Sequence, residues 1–317
     1  MGMSGQLKID QYLTNLATAF PVGNKIGKIL APVVPVEKMS DKIFVDSDDA
    51  IAVNVDLAEA VGTSEVDFAA GTPYSFRTMR YGLNAVVQKK QADNAAAVVK
   101  LQQRITNKLT NRLLQNHELR VSLILNDTTY VTQTKDVDAT AGARWDEASP
   151  DLEADIITAL STIYDNTGRI ANTLVVPYEA ALYLANMDFV RDLLKYQFGM
   201  NVMTAEFQKQ VMQTVGLPPI IKGLNLVVSS GRVATNAKGL AKTVANPWGK
   251  NCLIGYIPPT VPFVDDDFGV ITTEYQPFGV YTKPIDDPVG TKVWVDWDYE
   301  VTMGNMATWY LLENVIS

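Results

Sequence analysis

The chain has 317 residues, 47% hydrophobic and 20% charged, the proportions of an ordinary folded protein and not of a disordered one. A formal net charge of −8 argues against a dedicated nucleic-acid binder, and a single cysteine, Cys252, excludes an intrachain disulfide framework. No apolar run approaches the roughly 18 residues of a membrane-spanning helix, and the N-terminus lacks a secretory apolar core, so a soluble product of a reducing cytoplasm is expected.

Residues 1–40 open on an amphipathic pattern, with Ile9, Leu13, Leu16 and Phe20 on one face, followed by Pro21, Gly23, Gly27, Pro32 and Pro35. A segment so punctuated rarely builds its own core, and an extended arm lying on another surface is expected. Residues 41–88 read as two strand-rich halves. Ile43–Val45 and Ile51–Val55 bracket the acidic tip Asp46, Asp48, Asp49, and the return run Tyr74–Tyr81 carries Arg77 and Arg80. A long two-stranded ribbon is only marginally stable alone, so a partner surface should cover it. These three acids and two arginines are its candidate intersubunit contacts.

Asp93 to Asn116 is predicted to be a helix, capped by Asp93, free of Gly and Pro, with the stripe Val98, Leu101, Ile105, Leu109, Leu113. Lys100, Arg104, Lys108 and Arg112 form an i,i+4 row beside that stripe. The row reads either as a solvated face or as a basic rail toward acidic neighbours or nucleic acid. Residues 127–148 read as a polar loop. From Trp145 an acid-rich linker leads to a second helix, with Ser149 as N-cap, Pro150 as first helical residue, and Asp151 and Glu153 suited to the positive helix end. Ile156, Ala159, Leu160 and Ile163 form its apolar face, and Gly168 supplies a left-handed stop. Leu174-Val175-Val176 reads as a buried strand, followed by helical runs at Tyr178–Ala185, Asp188–Tyr196 and Ala205–Gly216. Strands are predicted at Asn225–Ser229 and Cys252–Ile257. In Val293–Val301 the odd positions are apolar and the even ones are Trp294, Asp296, Asp298 and Glu300, a half-buried strand that continues as Ala307–Ile316.

The ordered set of Trp145, the acidic linker, a helix ending in Thr167-Gly168, and Asn172–Val176 before another helix resembles the major capsid proteins of tailed bacteriophages, which have the Hong Kong 97-type shell fold. The closing run Leu311–Val315 is similar to one these proteins often carry. The resemblance covers about residues 40–317 in architecture, and these two stretches by motif. It implies an α+β fold with an N-terminal arm (1–42), an extended β-ribbon E-loop (43–88), a P-domain (89–168) with a long spine helix (93–116) completed by 285–317, and an A-domain (169–284). It further implies a homo-oligomer of hexamers and pentamers that self-assembles into an icosahedral shell around a double-stranded DNA genome. The location would be the virion capsid, after assembly in the host cytoplasm. Implied partners are a portal, optional scaffolding and decoration proteins, and packaged DNA contacted non-specifically, with no membrane. An encapsulin-like nanocompartment shell is the alternative. Some members join an E-loop lysine to a neighbour's asparagine. Here Ile43–Gln88 contains no lysine, the nearest being Lys42 and Lys89, so a non-covalent shell is expected. The chain opens directly on the arm, without a long charged helical segment, so a separate scaffolding protein, or none, is expected.

Chemistry is sparse. Triad catalysis and most zinc sites need histidine or several cysteines, and only His117 and Cys252 are present. No phosphate-binding loop and no dinucleotide-binding glycine fingerprint occurs. Asp46-x-Asp48 starts like a calcium loop, but its sixth position is Ile51 and its twelfth Leu57. Asp265–Asp267 and Asp286-Asp287 read as exposed acidic turns. Asp296 and Asp298 could form a glycosidase pair, but more simply blunt a strand edge. His117 reads as a cation near a helix C-terminus. No enzymatic activity, metal or cofactor is expected, a carboxylate-only enzyme being the remaining alternative.

Overall fold

A computed structural model describes residues 8–20, 25–45, 72–90, 98–147, 149–197, 217–234, 244–259, 268–286 and 289–317. Its first elements are β1 (Lys8–Ile9), α1 (Gln11–Thr18), α2 (Gly27–Leu30), β2 (Val33–Pro35), β3 (Ser40–Val45), β4 (Thr72–Arg77), β5 (Met79–Gln88) and α3 (Val98–Leu125). There follow β6 (Thr134–Asp136), α4 (Leu152–Thr167), β7 (Thr173–Pro177), α5 (Tyr178–Leu184), α6 (Asp188–Gln197), β8 (Ile220–Ile221) and β9 (Leu224–Ser229). The last are β10 (Val233–Ala234), β11 (Val244–Ala245), β12 (Cys252–Gly255), β13 (Val270–Asp286), β14 (Val289–Met303) and β15 (Trp309–Glu313). The chain divides into two compact units, one of 1–41, 76–121 and 272–302, the other of 42–75, 122–271 and 303–317.

The first unit is a sheet in the order β1-β13-β14-β5, with β2 joined to β13 in parallel. The period-two pattern of β14 is realised: Val293, Val295, Trp297, Tyr299 and Val301 are all buried. The N-terminal segment corrects the expectation of an arm without a core. It is stitched to β13 by β1, by β2, and by hydrogen bonds from Asp10 N to Val280 O (3.0 Å) and from Val280 N to Thr14 Oγ1 (3.1 Å). Leu13, Ala17, Ile26, Leu30 and Val34 are buried, whereas Ile9 is 63% exposed.

Helix α3 runs to Leu125, past the expected end at Asn116, because residues 117–125 contain no breaker and keep helical apolar spacing. The buried face within the first unit is Thr106, Leu109, Thr110, Leu113, Leu114, His117, Glu118 and Val121. It is turned from the expected stripe, so Leu101 and Ile105 are only half-buried.

In the second unit a mixed sheet has the order β6-β15-β12-β7-β9-β8. All five residues of β7 are buried, as expected of a central strand. Helix α4 lays Leu152, Ile156, Ala159 and Ile163 against this sheet and ends at Gly168 with φ 66°. Its cap is Asp151, not Ser149: the Asp151 carboxylate accepts from Ala154 N at 3.1 Å. Trp309 lies against Gly255, where a Cβ would come within 2.3 Å of the indole. The strand expected to run on past Val301 instead breaks at Gly304, and β15 pairs with β12 and β6 in the second unit. The units therefore cut across the expected domains. Residues 303–317 and α4 were expected with the long helix, yet both build the second core. The helix expected at Ala205–Gly216 and the strand at Ile51–Val55 lie outside the described residues.

Leu113→Ala should cost about 2–5 kcal/mol in urea unfolding followed by circular dichroism. Ile105→Ala, at a half-buried site, should cost clearly less. Asp151→Ala should cost about 1 kcal/mol through loss of the cap.

Candidate functional site

The groups that could do chemistry come first. His117 sits within α3, not at its end, and is 1% exposed. Its Nε2 lies 2.7 Å from Thr272 Oγ1, and its ring centroid lies 5.1 Å from that of Trp297 and 5.3 Å from that of Tyr299. Burial, reinforced by the Lys28 and Arg120 charges, lowers its pKa to about 3. The imidazole is a neutral core group, and the reading of it as a helix-end cation is corrected. Cys252 is fully buried and its thiol pKa is pushed well up by burial.

Asp296 and Asp298 do not blunt an edge, because β14 lies between β13 and β5. Asp296 is held by the Arg80 guanidinium. Asp298 is 6% exposed, its carboxyl pKa raised first by burial, so it is shut off from any substrate. Among the described residues no group of three or more His, Cys, Asp or Glu could hold a metal ion, and no helix is long and apolar enough to cross a membrane.

Surfaces remain. On α3, Arg104, Lys108 and Arg112 are exposed and make no ion pair among the described residues, while the Lys100 side chain lies outside them. Arg104 and Lys108 share a shallow groove with Phe20, Gln103, Asn107 and Asn111. Lys25 Nζ donates to Asn111 Oδ1 at 2.6 Å. Strands β3 and β4 pair as the stem of the predicted ribbon, whose acids Asp46, Asp48 and Asp49 lie outside the described residues. Arg77 is exposed at the end of β4. Arg80, expected to reach across a subunit interface, instead has its partner Asp296 within the chain.

The second unit also holds a cleft of about 630 Å³ between the segment Trp145–Glu153 and the segment Tyr183–Phe189. Asp146 Oδ2 accepts from Ser317 N (3.0 Å) and Ser317 Oγ (2.5 Å), and the hydroxyl bond holds its pKa below the usual carboxylate range. Glu153 is ion-paired with Lys222, whose ammonium sits 5.4 Å from the Phe189 ring centroid. The sequence signal for this cleft was the density of acids just after Trp145. Read alone, those acids served only to mark a helix start.

No protein family profile and no curated protein matches the sequence. Solved structures do. A phage-related protein from Bordetella bronchiseptica matches over 98% of both chains, with a TM-score of 0.72 at 22% identity. The capsid of cyanophage P-SCSP1u matches over 89% of this chain and 86% of that one, with a TM-score of 0.56 at 13% identity. An encapsulin complex from Synechococcus elongatus matches over 94% and 90%, with a TM-score of 0.54 at 11% identity. The chain has the α+β fold of phage capsid proteins, the Hong Kong 97-type shell fold.

Because the folded His117 takes up its proton only near pH 3, while a free imidazole does so near 6.5, the unfolded chain binds a proton that the folded chain excludes between those values. This contribution to stability is complete above pH 6.5 and declines as pH falls toward 3. Between pH 7 and 5 the wild type should lose about 2 kcal/mol more than His117→Gln in urea unfolding.

Proposed function

We propose that the chain is the major capsid protein of a tailed phage or prophage, many copies of which tile an icosahedral shell around double-stranded DNA. The observation that carries this reading is the fold likeness, which runs the length of the chain and is shared with a phage-related protein and a phage capsid. Exposed apolar side chains on the second unit, among them Ile157, Tyr164 and Ile170, supply surface for neighbours to cover. In this reading the E-loop, residues 43–88, overlaps a neighbouring subunit, with Asp46, Asp48 and Asp49 among its intersubunit contacts. Arg77 is the intersubunit candidate among the arginines, since Arg80 is already engaged. The row Arg104, Lys108, Arg112 balances acidic neighbours or packaged DNA, and Lys100 belongs to the same sequence row.

Assembly would then be the mechanism, with no catalytic step. Individually modest contacts allow a wrongly placed subunit to leave, and many of them together hold a closed shell. The host cytoplasm, a portal and a separate scaffolding or decoration protein complete the reading.

The second reading, an encapsulin-like compartment, is favoured by the likeness to the Synechococcus elongatus encapsulin. The contents separate the two: nuclease-protected DNA in a phage shell, a packaged protein in a compartment.

Purified protein should form closed particles or capsomers in negative-stain microscopy, and light scattering that finds only a 34.8 kDa species at all concentrations overturns the shell reading. Boiling the particles in detergent should release a single band near that monomer mass. Replacing Arg104, Lys108 and Arg112 together by Gln should leave the urea midpoint unchanged and alter assembly or DNA content.

A further inference from the structure

We propose that the groove between Phe20 and α3 holds a single strand of nucleic acid by its phosphates, with an unpaired base against the Phe20 ring. The proposal deepens the part of the reading above that gives the α3 row a polyanion, rests on that part, and names the polyanion.

The groove, of about 540 Å³, is lined by Phe20, Gln103, Arg104, Asn107, Lys108 and Asn111. Two hydrogen bonds fix its walls. Gln103 Nε2 donates to the Tyr12 hydroxyl of α1, and Lys25 Nζ donates to Asn111 Oδ1 at 2.6 Å. Phe20 stands between Tyr12 and Lys25 in the chain, so it is tied to α3 on both sides. The lining has two cations and no acid. Arg112, one turn past Lys108, and the Lys25 ammonium add positive charge at the Asn111 end.

This is not the charge pattern of an ordinary solvated helix face. Such a face gains from acids three or four residues from its bases, whereas like charges at that spacing destabilise the helix. From Asn94 to His117 there is no acid, and Arg104, Lys108 and Arg112 follow one another at i,i+4. All three are exposed and make no ion pair among the described residues. A negative ligand from outside the chain relieves their repulsion.

Spacing selects the kind of ligand. Four helical residues rise about 6 Å, so the three cations extend over about 12 Å, too far for one small anion. A strand with a phosphate at every link meets them in turn. Before each cation in sequence stands a carboxamide, Gln103, Asn107 or Asn111, which offers donors and acceptors to sugars and base edges. The ring separates nucleic acid from an acidic peptide, because an unpaired base stacks on an aromatic face and a carboxylate does not. Cationic grooves edged by such rings suit single strands. A duplex keeps its bases stacked on one another and leaves Phe20 without a role.

The test is fluorescence anisotropy of a labelled oligothymidylate with the full chain, held below the concentration at which it associates, over a range of salt. The wild type should bind this strand at least ~10-fold more tightly than a duplex of equal length or polyglutamate. Arg104→Gln with Lys108→Gln should lower the slope of log affinity against log salt by about 1.4, the share of two phosphate contacts on a single strand. Phe20→Leu keeps apolar volume but removes the ring. It should weaken the strand about fivefold or more at an unchanged salt slope, and Phe20→Tyr should keep wild-type affinity. Circular dichroism melts identify any variant that has not folded. In that event competition on the wild type decides, and polyglutamate that displaces the strand as well as unlabelled oligothymidylate does overturns the site. So does a duplex bound as tightly as the strand, a salt slope unmoved by loss of both cations, or a folded Phe20→Leu variant with wild-type affinity. Closed particles seen beside any of these results keep the shell reading. A chain that binds the strand as expected but forms no particles keeps the site and loses the shell.

Discussion

The first unit depends on one packing interaction, the burial of Trp297 and Tyr299 of β14 against His117 of α3. The centroids of Trp297 and Tyr299 lie 4.1 Å apart, and Phe278 stacks on Trp297 at 4.7 Å. A wall of this kind removes large apolar area from water, but each polar tip in it must find a partner. Trp297 Nε1 donates to Glu274 Oε1 at 2.5 Å, and Asn116 Nδ2 donates to the Tyr299 hydroxyl at 3.4 Å. Lys28 lies over the Trp297 and Phe278 rings at 4.8 and 5.2 Å, and burial pulls its pKa down while Glu274 pulls it up. Arg120 lies over the Tyr81 ring at 4.3 Å. A charged imidazole between Lys28 and Arg120 would face two like charges in a dry site. The neutral His117 satisfies Thr272 without that cost.

Two interiors of different character result. In the second unit β7 is buried on both faces, so Leu174 and Val176 serve one side while Val175 and Leu253 serve the other. There the fit is steric more than polar. Trp309 occupies room that exists only because Gly255 and Gly269 lack side chains; a Cβ at Gly269 would come within 2.2 Å of the indole nitrogen. Larger residues at either glycine would displace the indole from the base of β15, which is bonded to both β12 and β6.

Much of this was legible in the sequence where one periodicity acted alone. The period-two row of β14, the apolar face of α4, the left-handed Gly168 and the dry strand β7 all follow from local pattern. What was not legible depends on contacts distant in sequence. Nothing near His117 says that Thr272 will meet it, so a helix-end role was the simplest local reading. Asp296 and Asp298 looked like edge guards because an alternating strand does not reveal whether it has one neighbour or two. The N-terminal segment looked coreless because Leu13, Ile26, Leu30 and Val34 are buried in a segment that pairs with a strand more than 200 residues later. The cleft around Trp145 escaped because its two walls come from separate stretches of the chain.

On the shell reading, charge is the property that links these interiors to assembly. A chain of net charge −8 could scatter its lysines and arginines among its acids, but this one segregates them. Between Lys42 and Arg77 there are seven acids and no base; between Ser229 and Lys250 there are four bases and no acid. The α3 row exposes three cations with no ion pair among the described residues. Within one folded chain such separation gains little, since exposed charges a Debye length of about 8 Å apart scarcely interact at physiological salt. Between copies it sets register, because opposite blocks attract while like blocks placed in contact repel. A monomer gains nothing by keeping its charges unmixed, whereas a subunit that must find the same few faces on every neighbour does. On that reading the segregation serves repeated contact with copies of the same chain and not any demand of the fold.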